Sequence, residues 1–118
     1  MPLDPAYAER FQELYGERFK GISSSLINLF LLVAEQEGIT ISELKDLSKL
    51  GRATLTNMLR LLGPSYLVAI DSKRTVKMGY GLVNLRISLE NRREREVVLS
   101  IRGRQIFKEL RTIVESSA

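Results

Sequence analysis

The stretch TISELKDLSKLGRATLTNMLRLL, residues 40–62, decides how the rest of the chain is read. Thr40 and Glu43 have the T-x-x-E spacing of a capping box, in which each side chain satisfies an orphan backbone donor at a helix start. Ile41, Leu44 and Leu47 give that helix an apolar face. Leu50-Gly51 breaks the run. From Arg52 a second period begins, with Leu55, Met58, Leu59 and Leu62 at i, i+3, i+4 and i+7, one stripe of a 3.6-residue helix. Two short helices joined by a tight turn make a helix-turn-helix, an arrangement that presents its second helix to the major groove of DNA.

The side chains pointing away from the second stripe are Arg52, Ala53, Thr56, Asn57 and Arg60. Arginine and asparagine make two-pronged hydrogen bonds to guanine and adenine edges, while small and hydroxylic residues allow close approach to phosphate and thymine methyl groups. The same pattern also fits a buried helix pair with a solvated outer face. These residues alone leave both readings open.

The composition narrows the choice. A chain of 118 residues is long enough for one domain. The longest apolar run, residues 29–34, is far too short to span a membrane, and the start lacks the layout of a signal peptide. The chain has no cysteine and no histidine. Disulfides and thiol sensing are thereby excluded, which fits a cytoplasmic protein. Ser-His and Cys-His nucleophile pairs are excluded too, and a zinc site would need carboxylates alone. No glycine-rich phosphate loop occurs. We therefore expect neither enzyme activity, nor a metal, nor a cofactor.

Net charge is +4 with an isoelectric point near 9.6, unevenly spread. Residues 1–50 carry five Lys+Arg against eight Asp+Glu, and residues 51–118 carry thirteen against six. The positive half begins where the second helix of the quoted stretch begins, as a polyanion-binding surface would require.

On the N-terminal side, Tyr7, Phe11, Leu14, Tyr15, Phe19 and Ile22 recur at helical spacings, predicting an amphipathic helix that ends near Gly21. Its aromatic stripe is either core or a dimer contact, and the dimer is preferred for so short a domain. Ser23 to Ser25 form a capping cluster. The apolar segment after them, residues 26–37, predicts the central buried helix, ended by Gly38. On the C-terminal side, Gly63-Pro64 stops the second helix of the pair. Residues 65–80 predict a loop or short hairpin with Asp71, Ser72, Lys73 and Arg74 at its tip, and Lys73, Arg74 and Lys77 as candidate DNA-backbone contacts.

Leu82, Val83, Leu85, Ile87 and Leu89 then alternate with polar residues as a half-buried strand. After a charged turn at residues 90–94, Val97 to Leu99 return. This hairpin has a basic tip and follows a helix-turn-helix, which makes it a wing. Ser100 can cap a last helix with Ile106, Phe107, Leu110, Ile113 and Val114 on its apolar face. The whole predicts an α+β, mainly α, winged helix-turn-helix with a two-stranded wing and flanking N- and C-terminal helices.

The sequence resembles the MarR family of winged-helix transcriptional regulators. The likeness is best in GLVNLRISLENRREREVVLSIRG, residues 81–103, with its G-L-V opening, its E-x-R-R tip (Glu90, Arg92, Arg93) and its L-[ST]-x-x-G exit (Leu99, Ser100, Gly103). T-I-S-E-L from Thr40 and R-A-T-L-T from Arg52 extend it, so that about two thirds of the chain is covered. The resemblance implies that Arg52, Ala53, Thr54, Thr56, Asn57 and Arg60 lie at the major groove. It implies that Arg92 and Arg93 reach the minor groove or phosphates from the wing; Arg86, Asn91 and Arg95 are further candidate wing contacts. Asn91 stands where many members carry an acidic residue that orients one arginine. Residues 66–80 are an insertion, and the members' second C-terminal helix has no counterpart. Dimerisation is thus expected to fall to Tyr7, Phe11, Leu14, Tyr15, Phe107, Leu110 and Val114, and small-molecule sensing is left open. The expected function is sequence-specific double-stranded DNA binding by a homodimeric regulator, a repressor by occlusion. A winged-helix protein-interaction module and a phage or plasmid replication accessory are the alternatives.

Overall fold

The computed structural model describes residues 4–70 and 73–116, those at 65–70 and 73–77 by their backbone alone. Five helices, α1 (Ala6–Tyr15), α2 (Ser24–Glu35), α3 (Ile41–Ser48), α4 (Arg52–Leu62) and α5 (Ile101–Ser116), surround two small antiparallel sheets. One sheet has the order β1 (Ile39–Thr40), β5 (Arg95–Leu99), β4 (Val83–Ile87). The other is a hairpin of β2 (Ser65–Ile70) and β3 (Lys73–Met78). The fold class is α+β and mainly α, as the sequence predicts.

Each of the three caps read from the sequence forms. Ser23 Oγ accepts from Leu26 N at 3.2 Å, and Thr40 and Glu43 close the capping box. Ser100 Oγ accepts from Gly103 N at 2.9 Å. The break between α3 and α4 is made differently from expectation. Lys49, with φ of 59°, takes the left-handed conformation, while Gly51 is extended. Strand β1 was not anticipated. It is two residues long, and it exists because Ile39 and Thr40 pair with Val97 and Glu96.

The first helix is shorter than its spacing predicts. It ends at Tyr15, and residues 16–21 form turns from which Phe19 and Ile22 still reach the core. Apolar side chains three or four apart are served equally well by successive turns, so periodicity could not separate the two. Leu47 is half exposed, leaving Leu44 as the buried anchor of α3.

The expected dimer contact requires the larger correction. Tyr7, Phe11, Tyr15, Phe107 and Leu110 are buried within the chain's own core. Tyr7 stacks on Phe107 at 5.9 Å between centroids, and Phe11 packs on Phe30 at 5.7 Å. The chain covers its own aromatic stripe because α1 lies on α5 and α2. Only Leu14, half exposed, and Val114, partly buried, retain outward surface.

The Tyr15 hydroxyl donates to the Glu109 carboxylate, tying α1 to α5. Burial first, then that hydrogen bond and the carboxylate's charge, push the phenol up to about 12 from its ordinary 10, against a smaller opposing pull from Arg18. Folded-state stability from this group is therefore whole below pH 10 and lost as pH rises from 10 towards 12. Thermal melts in that window should fall more steeply for the wild type than for Tyr15→Phe. Equal slopes would show that this phenol is not linked to folding.

Gly103 is a second, steric lock. A Cβ there would stand 2.1 Å from the Leu82 carbonyl oxygen and 3.3 Å from the Phe30 ring. Gly103→Ala should cost about 2 kcal/mol despite alanine's better helix propensity, because backbone has to move. Urea titration measures this directly, and an unchanged midpoint would mean the contact is not as close as described.

Candidate nucleic-acid interface

Helix α4 buries Leu55, Leu59 and Leu62 and exposes Arg52, Ala53, Thr54, Thr56, Asn57 and Arg60. All six expected major-groove residues thus lie on the outer side. Gly51 stands at the N-cap with no side chain to satisfy the first amides, and the first turn has no acidic residue. The positive end of the helix dipole is therefore left open beside Arg52.

The wing is a two-stranded hairpin in the register Val83↔Leu99 through Ile87↔Arg95. Alternation puts Val83, Leu85 and Ile87 on one face with Val97 and Arg95, and Arg86 on the other with Glu96. Arg86 is held by Glu96 at 3.1 Å. It does not line the cleft described next.

A cleft of about 680 Å³ runs between α4 and the wing. Arg52, Thr56 and Arg60 line it from the helix, and Leu85, Arg93 and Arg95 from the wing. None of Arg52, Arg60, Arg92, Arg93 and Arg95 has an ion pair among the described residues. Desolvated arginines would be paired; these are solvated, and four of them, Arg52, Arg60, Arg93 and Arg95, line one concavity while Arg92 stands exposed at the tip. Its one acid is Glu94, whose carboxylate accepts from the Ser42 hydroxyl at 2.7 Å and so braces the wing against the start of α3. Ser42 gave no signal in the sequence, since an exposed serine after a capping residue is ordinary.

Asn91 shapes the tip rather than gripping an arginine side chain. Its Oδ1 accepts from the Arg93 backbone N–H at 3.1 Å, and its own N–H donates to Ser88 Oγ at 3.3 Å. Ser88 N also donates to the Glu94 carbonyl at 3.0 Å. An Asx turn therefore presents Arg92 and Arg93 outward. The strand before it differs from expectation. Only Val83 is buried, and Leu85, Ile87 and Leu89 are exposed.

The candidate contacts Lys73, Arg74 and Lys77 lie outside the described side chains. Their hairpin leaves the C-terminal end of α4, where Gly79 N donates to the Pro64 carbonyl at 3.0 Å and Tyr80 N to that of Leu61 at 2.8 Å. The inserted stretch is thus a pair of six-residue strands rather than a loop.

Several solved structures are similar to this chain in overall shape. The chain aligns over 92% of its length with 77% of the MepR chain in an S. aureus MepR–DNA complex, at TM-score 0.63 and 15% identity. It aligns over 92% with 71% of MarR, at TM-score 0.58 and 20% identity. A MarR transcriptional regulator from Methanosarcina mazei Go1 matches over 94% of this chain and 71% of its own, at TM-score 0.59 and 20% identity. No protein-family model matches the sequence, and no curated protein does. The likeness is one of architecture, and this chain has the winged-helix fold of the MarR-type regulators.

Proposed function

We propose that the chain is a sequence-specific double-stranded DNA-binding transcriptional regulator, acting as a homodimeric repressor by occluding a promoter. The observation that carries this reading is the shared cleft, with Arg52, Thr56 and Arg60 of α4 facing Arg93 and Arg95 of the wing. Asn57 is exposed beside them. A helix with arginine and asparagine outward reads base edges in the major groove, and a cationic hairpin beside it takes the neighbouring phosphates or minor groove. One solved structure of similar shape is a complex with DNA, which supports the same reading.

The dimer follows from recognition rather than from the aromatic stripe. One helix reads only a few base pairs, and a two-fold pair reads half-sites about one helical turn apart. We place the contact on the outer surface of α1 and α5, around Leu14 and Val114, the two members of the expected set that keep outward area.

Anisotropy titrations of a labelled duplex against salt test the reading. Six phosphates neutralised per dimer give a log–log slope of about −5. Arg93→Ala should weaken binding to all duplexes alike, whereas Asn57→Ala should cost roughly 1–3 kcal/mol on the preferred sequence and flatten the preference. Arg86→Gln, on the far face of the wing, should change affinity no more than about twofold. A slope near zero, or Arg86→Gln as damaging as Arg93→Ala, contradicts the assignment.

A further inference from the structure

The wing carries an apolar stripe that none of the described residues covers. Exposure rises outward along it, from 43% at Leu85 through 63% at Ile87 to 98% at Leu89. Leu85 and Ile87 stand on the cleft side of the strand with Arg95, and Leu89 ends the run immediately before the tip. Two large apolar side chains on an edge strand and a third in the bend that follows it are costly to leave in water and invite misassociation. Other exposed apolar side chains among the described residues, such as Leu47, Met78 and Ile101, stand singly, whereas these three fall at successive alternate positions.

Charge identifies the occupant. The stripe is bordered by Arg92, Arg93 and Arg95, all exposed and without ion pairs among the described residues. An apolar protein surface laid on it would have to bury guanidinium groups without partners. The minor groove offers both complements at once: phosphate rims for the arginines and apolar deoxyribose walls and base edges between them. It is narrow, roughly 6 Å, and admits a hairpin tip but no helix. Resting on the DNA-binding reading above, the geometry points to Leu89 as an apolar wedge. It enters the minor groove between the arginine anchors, with Ile87 and Leu85 against the sugars behind it. A wedge of this kind partly unstacks a base step and bends the duplex. The tip is built to bear it, since buried Ser88 pins the turn from the opposite face through Asn91 and Glu94.

The test uses a duplex selected by the protein from a random pool, with 2-aminopurine replacing adenine at successive positions. Wild-type protein should raise the fluorescence at one step flanking the major-groove contacts, reporting unstacking. Leu89→Ser should abolish that rise and weaken binding roughly ten- to hundredfold, the scale of one buried leucine, with melting temperature and salt slope unchanged. Leu89→Met should restore the signal. If Leu89→Ser binds and fluoresces like the wild type, the wedge is overturned while the DNA reading stands. If Leu89→Ser instead dissolves a self-association seen in sedimentation and leaves DNA binding intact, a second copy is the occupant and the proposal fails. Absence of any duplex binding by the wild type at low salt would remove the DNA reading, and the wedge with it.

Discussion

The backbone at Leu82 is the joint on which the arrangement depends. Its amide donates to the Leu62 carbonyl at 2.8 Å, in the last turn of α4, and its carbonyl accepts from Ser100 N at 3.0 Å, at the start of α5. Its side chain is fully buried, and Gly103 lies against its carbonyl with no room for a Cβ. Recognition helix, wing and closing helix thus meet at one residue. Ser100 serves the same joint twice, donating to the Gly81 carbonyl at 2.6 Å and capping α5. A cleft between two elements has a fixed width only if both are bonded to a common point, and here they are. The L-[ST]-x-x-G exit is therefore a packing requirement: serine to bond both strands of the joint, glycine to let helix and strand touch.

Much of this was legible in the residues. Capping serines and the Thr40–Glu43 box announce helix starts through local hydrogen bonds, and local chemistry needs no knowledge of the rest of the fold. The outward placement of Arg52, Asn57 and Arg60 follows from periodicity once Leu55, Leu59 and Leu62 are taken as core. What escaped depends on long-range geometry. Strand β1 exists only because β5 lies beside it. The burial of Tyr7, Phe11 and Phe107 depends on where α1 docks, which a stripe cannot announce, since a stripe looks the same whether its cover is its own chain or another. The pairing of Arg86 with Glu96 was hidden for a related reason. Cross-strand register decides which face a strand residue takes, and a shift of one residue reverses it.

Acids and bases are sorted with the same logic. Glu96 holds Arg86 on the far face of the sheet, and Glu37 holds Arg104 while its carboxylate accepts from Leu99 N at 3.2 Å. Glu94 is drawn off by Ser42. Glu37, Glu94 and Glu96 thus do structural work, and the arginines lining the cleft have no ion pair among the described residues. An excess of +4 over the chain is too small to distinguish a polyanion binder from an ordinary basic protein. The distribution says more, because like charges held together across a cleft repel one another and destabilise the fold slightly. That cost is what supports the proposed polyanionic ligand.

The wing's exposed leucines belong to the same argument. A hairpin that only needed to carry arginines to phosphates would be served by a polar strand, and the alternation at Asn84, Arg86 and Ser88 shows that this chain places polar residues there readily. Instead every second position from Val83 to Leu89 is apolar, while the core ends after Val83. Burial inside the chain accounts for one of those four residues. The proposed wedge gives the other three a surface to meet, and the arginines beside them favour a polyanionic one.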